Sequence, residues 1–285
     1  MPSRKAIKRR VASVTTTKQI VSAMDMVAAT KLQKVRAWLY DARPLAEASK
    51  GMLDRLKGCE AAADHVFFRE RPGKRAAYAV ITSDRGLCGS YNTNIAAEAL
   101  CHMEEAGHEE QIIAIGLRGR AYFVRRGKQI LRSHKEIAET AFYEDANKIG
   151  KNLISLFLKG QVDEVYVAYT HFESVLDHKP RIVRVLPIGD QDALPDAGVF
   201  GMKYEPDLQS VLDYAIPSYL FAFLYSAMLE SAACEQASRM VSMDAANKNA
   251  TDIIDELTRT YNRKRQAQIT QEITEIIGGA EVSKS

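Results

Sequence analysis

From Ser218 to Ile277 the chain contains neither glycine nor proline, and the same holds from Ser3 to Arg43. Nothing in either stretch stops a helix. The sixty residues of the second make an unbroken rod of ~90 Å at ~1.5 Å per residue. Cysteine is scarce too: Cys59, Cys88, Cys101 and Cys234 are scattered, with no CxxC pair. This excludes a disulfide framework and a cysteine zinc site, and fits a reducing compartment. The six histidines have no HxxxH or HExxH spacing, so metal binding is not expected. Asp190, Asp192 and Asp196 lack the EF-hand pattern and are read as solvated acids. No uninterrupted apolar run reaches the ~18–20 residues of a membrane span. The basic start, MPSRKAIKRR, lacks the apolar stretch of a secretory signal. It enters helical periodicity at once, so no segment marked for removal is expected.

Acids are missing from the first 40 residues, which hold nine Lys/Arg against Asp25 alone. Such a run is either a solvated helix face or a surface for a partner rich in carboxylates or phosphates. Over the whole chain the net charge is only +3, so the asymmetry is local.

In the first breaker-free run Ile7, Val11, Val14, Val21, Ala28, Leu32, Val35 and Leu39 fall on a three-four alternation. Lys18 and Asp25 interrupt it, and Ile20, Met24 and Val27 form an adjacent stripe. This is a coiled-coil-like seam. It continues weakly past Pro44 through Leu45, Met52, Leu53 and Leu56, and fades at Gly58. The last run repeats the alternation at Leu220, Leu224, Ala227, Ser231, Cys234, Ser238, Val241 and Ala245, then at Leu257, Tyr261, Ile269, Ile273 and Ile276. The two runs predict helices over 3–57 and 207–281, ~80 Å and ~110 Å long. They pack antiparallel on each other, or each packs on another protein; periodicity does not choose. If they pair with their inner ends level, ~30 Å of the second helix stands bare. That bare part carries Ile269, Ile273, Ile276 and Ile277, which predicts an external sleeve. Asp207 is placed to cap the second helix, and Pro217 is expected to kink it or mark its start.

The middle, about 73–190, is of another kind. Ala76–Ser83, Gln111–Gly116, Glu164–Thr170 and Arg181–Ile188 read as short buried strands, with helical stretches near 92–106, 118–126 and 145–160 between them. Strands alternating with helices predict βαβ units and a mostly parallel, Rossmann-like sheet. The fold class is thus mixed: a long antiparallel coiled coil of terminal helices carrying an inserted α/β domain. The boundaries are 1–57 (helix), 58–72 (linker), 73–190 (α/β domain), 191–206 (linker) and 207–285 (helix), the two helices forming one structural unit.

Ser83-Asp84-Arg85-Gly86-Leu87-Cys88-Gly89-Ser90 follows a strand and precedes a helix, where βαβ units bind phosphate. Its spacing is neither GxxxxGK[ST] nor GxGxxG. A tight structural turn is preferred over a nucleotide site, and Cys88, without a histidine nearby in sequence, over a nucleophile. Near the end of the chain, Arg259, Arg263, Lys264 and Arg265 mix with Gln266, Thr270, Gln271 and Glu272. They are either outer-face polar groups or bidentate contacts to a neighbour.

Four segments carry a resemblance: SAMDMVAATKLQKV (22–35), SDRGLCGSYN (83–92), EQASRMVSMDAANKNATDIIDEL (235–257) and YNRKRQAQITQEITEIIGGA (261–280). Together they make the chain similar to the gamma subunit family of F-type ATP synthases, over both terminal helices and the central domain. The resemblance implies a non-catalytic central rotor stalk without cofactor, nucleic-acid partner or metal. It would turn inside three alpha and three beta subunits, meet the epsilon subunit and the ring of c subunits, and touch the membrane only through that ring. Matching motifs imply hexamer contacts at Met24, Arg239, Arg265, Gln266, Thr270 and Glu272. They also imply an apolar tip at Ile269, Ile273, Ile276 and Ile277 in the hexamer sleeve, and a foot near the c ring at Tyr204 and Glu205. Arg10 keeps a charge that is usually Lys in relatives. The plastid-type regulatory cysteine pair is missing, so thiol control of that kind is not expected. The implied place is the cytoplasmic face of a bacterial plasma membrane, peripherally; the alternative is a mitochondrial or plastid inner face after loss of a transit peptide. A static coiled-coil tether and a stand-alone α/β nucleotide-binding enzyme are the rival readings.

Overall fold

The structure, a computed structural model, describes residues 3–57, 64–136, 142–189 and 204–282. Cys59, Asp190, Asp192 and Asp196, the first part of the 58–72 linker and most of the 191–206 linker lie outside the described residues. By its internal packing the chain divides into two compact units, Met1–Ala28 with Met240–Ser285, and Ala29–Arg239.

Helix α1 is Arg4–Lys57 and helix α5 is Leu208–Val282. Both run further than the breaker-free stretches. α1 passes through Pro44, and α5 passes through Pro217 and runs through Gly278-Gly279 to Val282, one residue past the expected 281. A proline removes only one backbone bond of a long ladder, so neither ends its helix. Asp207 caps α5 as expected, its Oδ1 accepting the Ser210 N–H at 2.8 Å.

In α1 positions 7, 11, 14, 18, 21, 25, 28, 32, 35, 39, 42, 46, 49, 53 and 56 are all protected, with 22, 24, 29, 31, 38, 51 and 54 half-buried beside them. That three-four alternation never slips, so Lys18 and Asp25 interrupt the chemistry of the seam and not its phase. Three details differ from expectation. Leu45 and Met52 are exposed, and Ala42, Ala46 and Ser49 hold their places. Ile20 and Val27 of the adjacent stripe are also exposed. In α5 the alternation through Ser238 is buried, but Val241 and Ala245 are exposed, and Met243, Asn247, Ala250, Ile254 and Leu257 take over. The phase changes because Ser226–Arg239 is buried all round, so no single stripe governs its packing.

The unit Ala29–Arg239 holds a five-stranded sheet: β1 Arg75–Ile81, β2 Glu109–Ile115, β3 Ile130–His134, β4 Glu164–Phe172 and β5 His178–Leu186. Between them lie α2 Tyr91–Ala106, α3 Leu117–Arg125 and α4 Tyr143–Leu158. The strand order is β3-β2-β1-β4-β5, with only the β4–β5 pair antiparallel. The sheet is therefore mixed. β3 was not foreseen, because its sequence, ILRSH, is half polar and it sits at an edge with little burial. On one face Tyr78 and Val80 pack against Ile95, Ala99 and Met103 of α2, each large side chain contributing about 1.5–3 kcal/mol on full burial. α4 and α5 meet at Gly150, where a Cβ would lie 2.4 Å from Phe221 Cδ1. That approach requires glycine despite its cost in a helix.

Among the described residues one helix, over Leu208–Ile277, is long and apolar enough by length and composition to cross a membrane. Its mean hydropathy meets the criterion although no uninterrupted apolar run does. Its most apolar window is 44% buried within the protein, and the helix carries the buried groups Glu230, Glu235 and Arg239.

Candidate interaction surfaces

Strand β1 ends at Ile81 and the chain enters the 83–90 loop. Ser83 is wholly buried; its N–H donates to Asn92 Oδ1 at 2.8 Å and its hydroxyl to the Arg85 carbonyl at 2.6 Å. Asp84 joins the loop to two other segments, accepting the Leu117 and Glu136 N–H groups at 3.1 and 3.0 Å. Cys88 is buried, and that burial pushes its thiol above the ordinary value, with Glu235 adding to the rise. A thiol held neutral and enclosed is no nucleophile. Gly89 takes a positive φ of 56°, and so does Leu87, at 64°. Leu87 is 62% exposed, an apolar side chain held outward between anchored neighbours.

In doubly wound sheets ligands bind beyond the carboxyl ends of the strands, where the strand order reverses. Here that place lies between β1 and β4, and α5 fills it. Ser238 donates its hydroxyl to the Cys88 carbonyl at 2.8 Å, and Arg239 reaches the Gly86 carbonyl at 3.3 Å. Arg239 also pairs with Glu235 at 2.7 Å, the two side chains only 8% and 1% exposed. β1 pairs with β4 only as far as Ala168. Beyond that point the N–H of Thr170 goes to Ser231 Oγ and that of Phe172 to Glu230 Oε2, both at 3.2 Å. Glu230 also accepts from His171 Nδ1 at 2.5 Å, and the Cys234 thiol faces the Thr170 carbonyl at 3.5 Å. Side chains of a helix thus continue the hydrogen bonding of a strand that has ended. The pocket of a nucleotide enzyme is taken up by the protein itself.

The expected contact residues divide into two groups. Arg239 is enclosed and committed to Glu235 and Gly86, and Met24 is half-buried. Arg265, Gln266, Thr270 and Glu272 are exposed, as are Ile269 (44%), Ile273 (51%), Ile276 (71%) and Ile277 (58%). Their hydrogen bonds stay within the helix: Thr270 to the Gln266 carbonyl, Gln268 to Glu272, Gln271 to Glu275. Every described side chain from Arg265 to Ile277 is exposed. Tyr204, half-buried, lines a cleft of ~550 Å³ with Met52, Arg55 and Leu56 of α1 and Val211 of α5, and Glu205 beside it is exposed. Glu230, Ser231 and Glu235 were not singled out for these roles. Their signal was available, polar residues at helical spacing inside an apolar stretch, but Ser231 and Ser238 were read as small seam residues.

The family described as ATP synthase matches residues 3–282 of the chain. An ATP synthase gamma chain of Alkaliphilus metalliredigens is 42% identical over 283 residues, covering 98% of each protein. That of Halothermothrix orenii is 40% identical over 288 residues and the full length of both. Among solved structures, the Euglena gracilis mitochondrial ATP synthase (OSCP, F1 and c ring) contains a chain that superposes with TM-score 0.68 at 16% identity, over 98% of this chain and 94% of that one. A chain of the Tetrahymena thermophila mitochondrial central stalk and c ring gives 0.64 at 24% identity, over 80% and 99%. With identity of this order running end to end, the chain belongs to the ATP synthase gamma chain family.

Proposed function

We propose that this chain is the non-catalytic central stalk of an F-type ATP synthase, turning within three alpha and three beta subunits and joined through epsilon to a c ring. The observation that carries the reading is α5: 75 residues of unbroken helix, anchored in a folded domain at one end and bare at the other. At ~1.5 Å per residue it is a rod of ~110 Å, long enough to reach well beyond its own domain. The unslipped three-four alternation of α1 suits a coiled-coil seam, and residues 1–57 and 207–285 are read as its two antiparallel partners, with 73–190 as the inserted domain. The bare isoleucines suit an apolar sleeve, and Arg265, Gln266, Thr270 and Glu272 suit contacts to the subunits forming it, with Met24 lower on the shaft; Arg239, expected as a further contact, is instead enclosed against Glu235 and Gly86. Tyr204 and Glu205 belong to the foot, near the c ring. The chain then lies on the cytoplasmic face of a bacterial plasma membrane and meets the bilayer only through the ring.

The energetic task is differential. Each orientation of the stalk must favour a different conformation of each catalytic subunit, since a partner that binds all states equally shifts none of them. The test is reconstitution with alpha and beta subunits and observation of a probe on the 83–90 loop while ATP is hydrolysed. Stepwise rotation is expected. A complex that hydrolyses ATP with the probe stationary is a tether, and the proposal is then wrong.

A further inference from the structure

α5 meets the sheet through two neighbouring rows of side chains, Glu230-Cys234-Ser238 and Ser231-Glu235-Arg239. Each is buried, and each except Glu235 bonds directly to the sheet or to the loop after β1: Glu230 to His171 and Phe172, Ser231 and Cys234 to Thr170, Ser238 to Cys88, Arg239 to Gly86. Glu235 holds Arg239 in place. A soluble domain does not need six polar or thiol groups at the centre of a helix–sheet contact, because apolar side chains of similar volume hold such contacts as well or better. What apolar packing lacks is position. Packed helices move past one another in jumps of one turn, ~5.4 Å.

We propose that this polar stripe is a register lock that keeps the α/β domain from slipping along or around α5 under load. The inference rests on the central-stalk reading. Sliding the helix by four residues shows how the lock works. The Thr170 N–H would then face Ala227 instead of Ser231, and the Gly86 carbonyl would face the carboxylate of Glu235 instead of the guanidinium of Arg239. The Thr170 N–H is then stranded in a buried place, which disfavours the displaced register about tenfold or more, and the half-buried Gly86 carbonyl meets like charge. Glu230, Ser231, Cys234, Ser238 and Arg239 are positioning residues: they act by keeping shaft and domain in phase.

The experiment uses the whole complex in inverted membrane vesicles and measures ATP hydrolysis and ATP-driven proton pumping, each per assembled complex. The variant is E230M/S231A/S238A, which leaves Glu235 and Arg239 paired. Hydrolysis is expected to continue while protons pumped per ATP fall severalfold. The conservative variants E230Q and S231T, which keep an acceptor at each place, restore the wild-type ratio. A merely structural role lowers the yield of complex and leaves this ratio alone. If the triple variant pumps as many protons per ATP as wild type, the lock does not exist. If the triple variant fails to assemble, S231A and S238A singly, each removing one neutral hydrogen bond, carry the same comparison with the same two outcomes. Wild-type complexes that hydrolyse ATP and never pump overturn the stalk reading, and the lock with it; wild type pumping beside an unaffected variant overturns the lock alone.

Discussion

Two stretches of one helix reverse the usual distribution of side chains. Ser226–Arg239 buries acids, an arginine and serines on every side, while Arg265–Ile277 leaves four isoleucines in water. The first stretch satisfies its polar groups within the chain. The second satisfies almost nothing beyond its own helical turns. The difference separates two demands on one shaft: the inner stretch finds its partners among the described residues, and the outer one is open to the partner surface proposed above.

The largest effect that sharpens this contrast is expected from Glu235→Ala. It strands the Arg239 guanidinium in a site where the side chain is only 8% exposed, costing about 3–5 kcal/mol. Urea denaturation of the purified chain checks this, and a loss below 1 kcal/mol contradicts the enclosed pair. Next comes Gly150→Ala, whose Cβ would meet the Phe221 ring at 2.4 Å. Overpacking of this kind costs about 1–3 kcal/mol, again read from the urea midpoint. A smaller effect concerns pH. His108 is held below the ordinary imidazole value chiefly by burial, with His102 and Lys74 acting the same way and Glu164 opposing. His134 is lowered by burial and by Arg132, with Asp145 opposing. Unfolded histidines take up protons near pH 6.5 and these two do so only at lower pH. Stability is therefore level above about pH 7 and declines as pH drops through the window below 6.5. Thermal unfolding at pH 7.5 and 5.5 should show the decline, and H108Q/H134Q should flatten it; an unchanged slope in that variant refutes the assignment. The smallest change in fold stability is expected at the tip. Arg265→Ala with Gln266→Ala should alter the stability of the free chain by less than about 0.5 kcal/mol, yet weaken hexamer binding or ATP synthesis. If both functions survive intact, those two residues do not make the contact.

The long helices were legible because a three-four alternation over many turns has no other stable reading. Positions 7 to 39 of α1 needed no correction beyond the stripe at Ile20 and Val27. The seam of α5 was misread at Val241 and Ala245, since a stretch buried all round carries no directional pattern from which to extend the phase. β3 escaped because an edge strand with Arg132 and Ser133 in its centre lacks both alternation and apolar run. At the 83–90 loop a structural turn was expected, but what holds it was hidden. The partner that fills the crevice arrives from residues 150 positions away, and no local spacing announces it.

The outer strand β5 has a bearing on the life of the chain before assembly. It places Pro180 opposite Thr170, with Lys179, Arg181 and Arg184 around it. Proline and like charges at a sheet margin deny stray strands a template. A newly made subunit with greasy residues at its far end would otherwise have two routes to precipitation, and this border closes one of them.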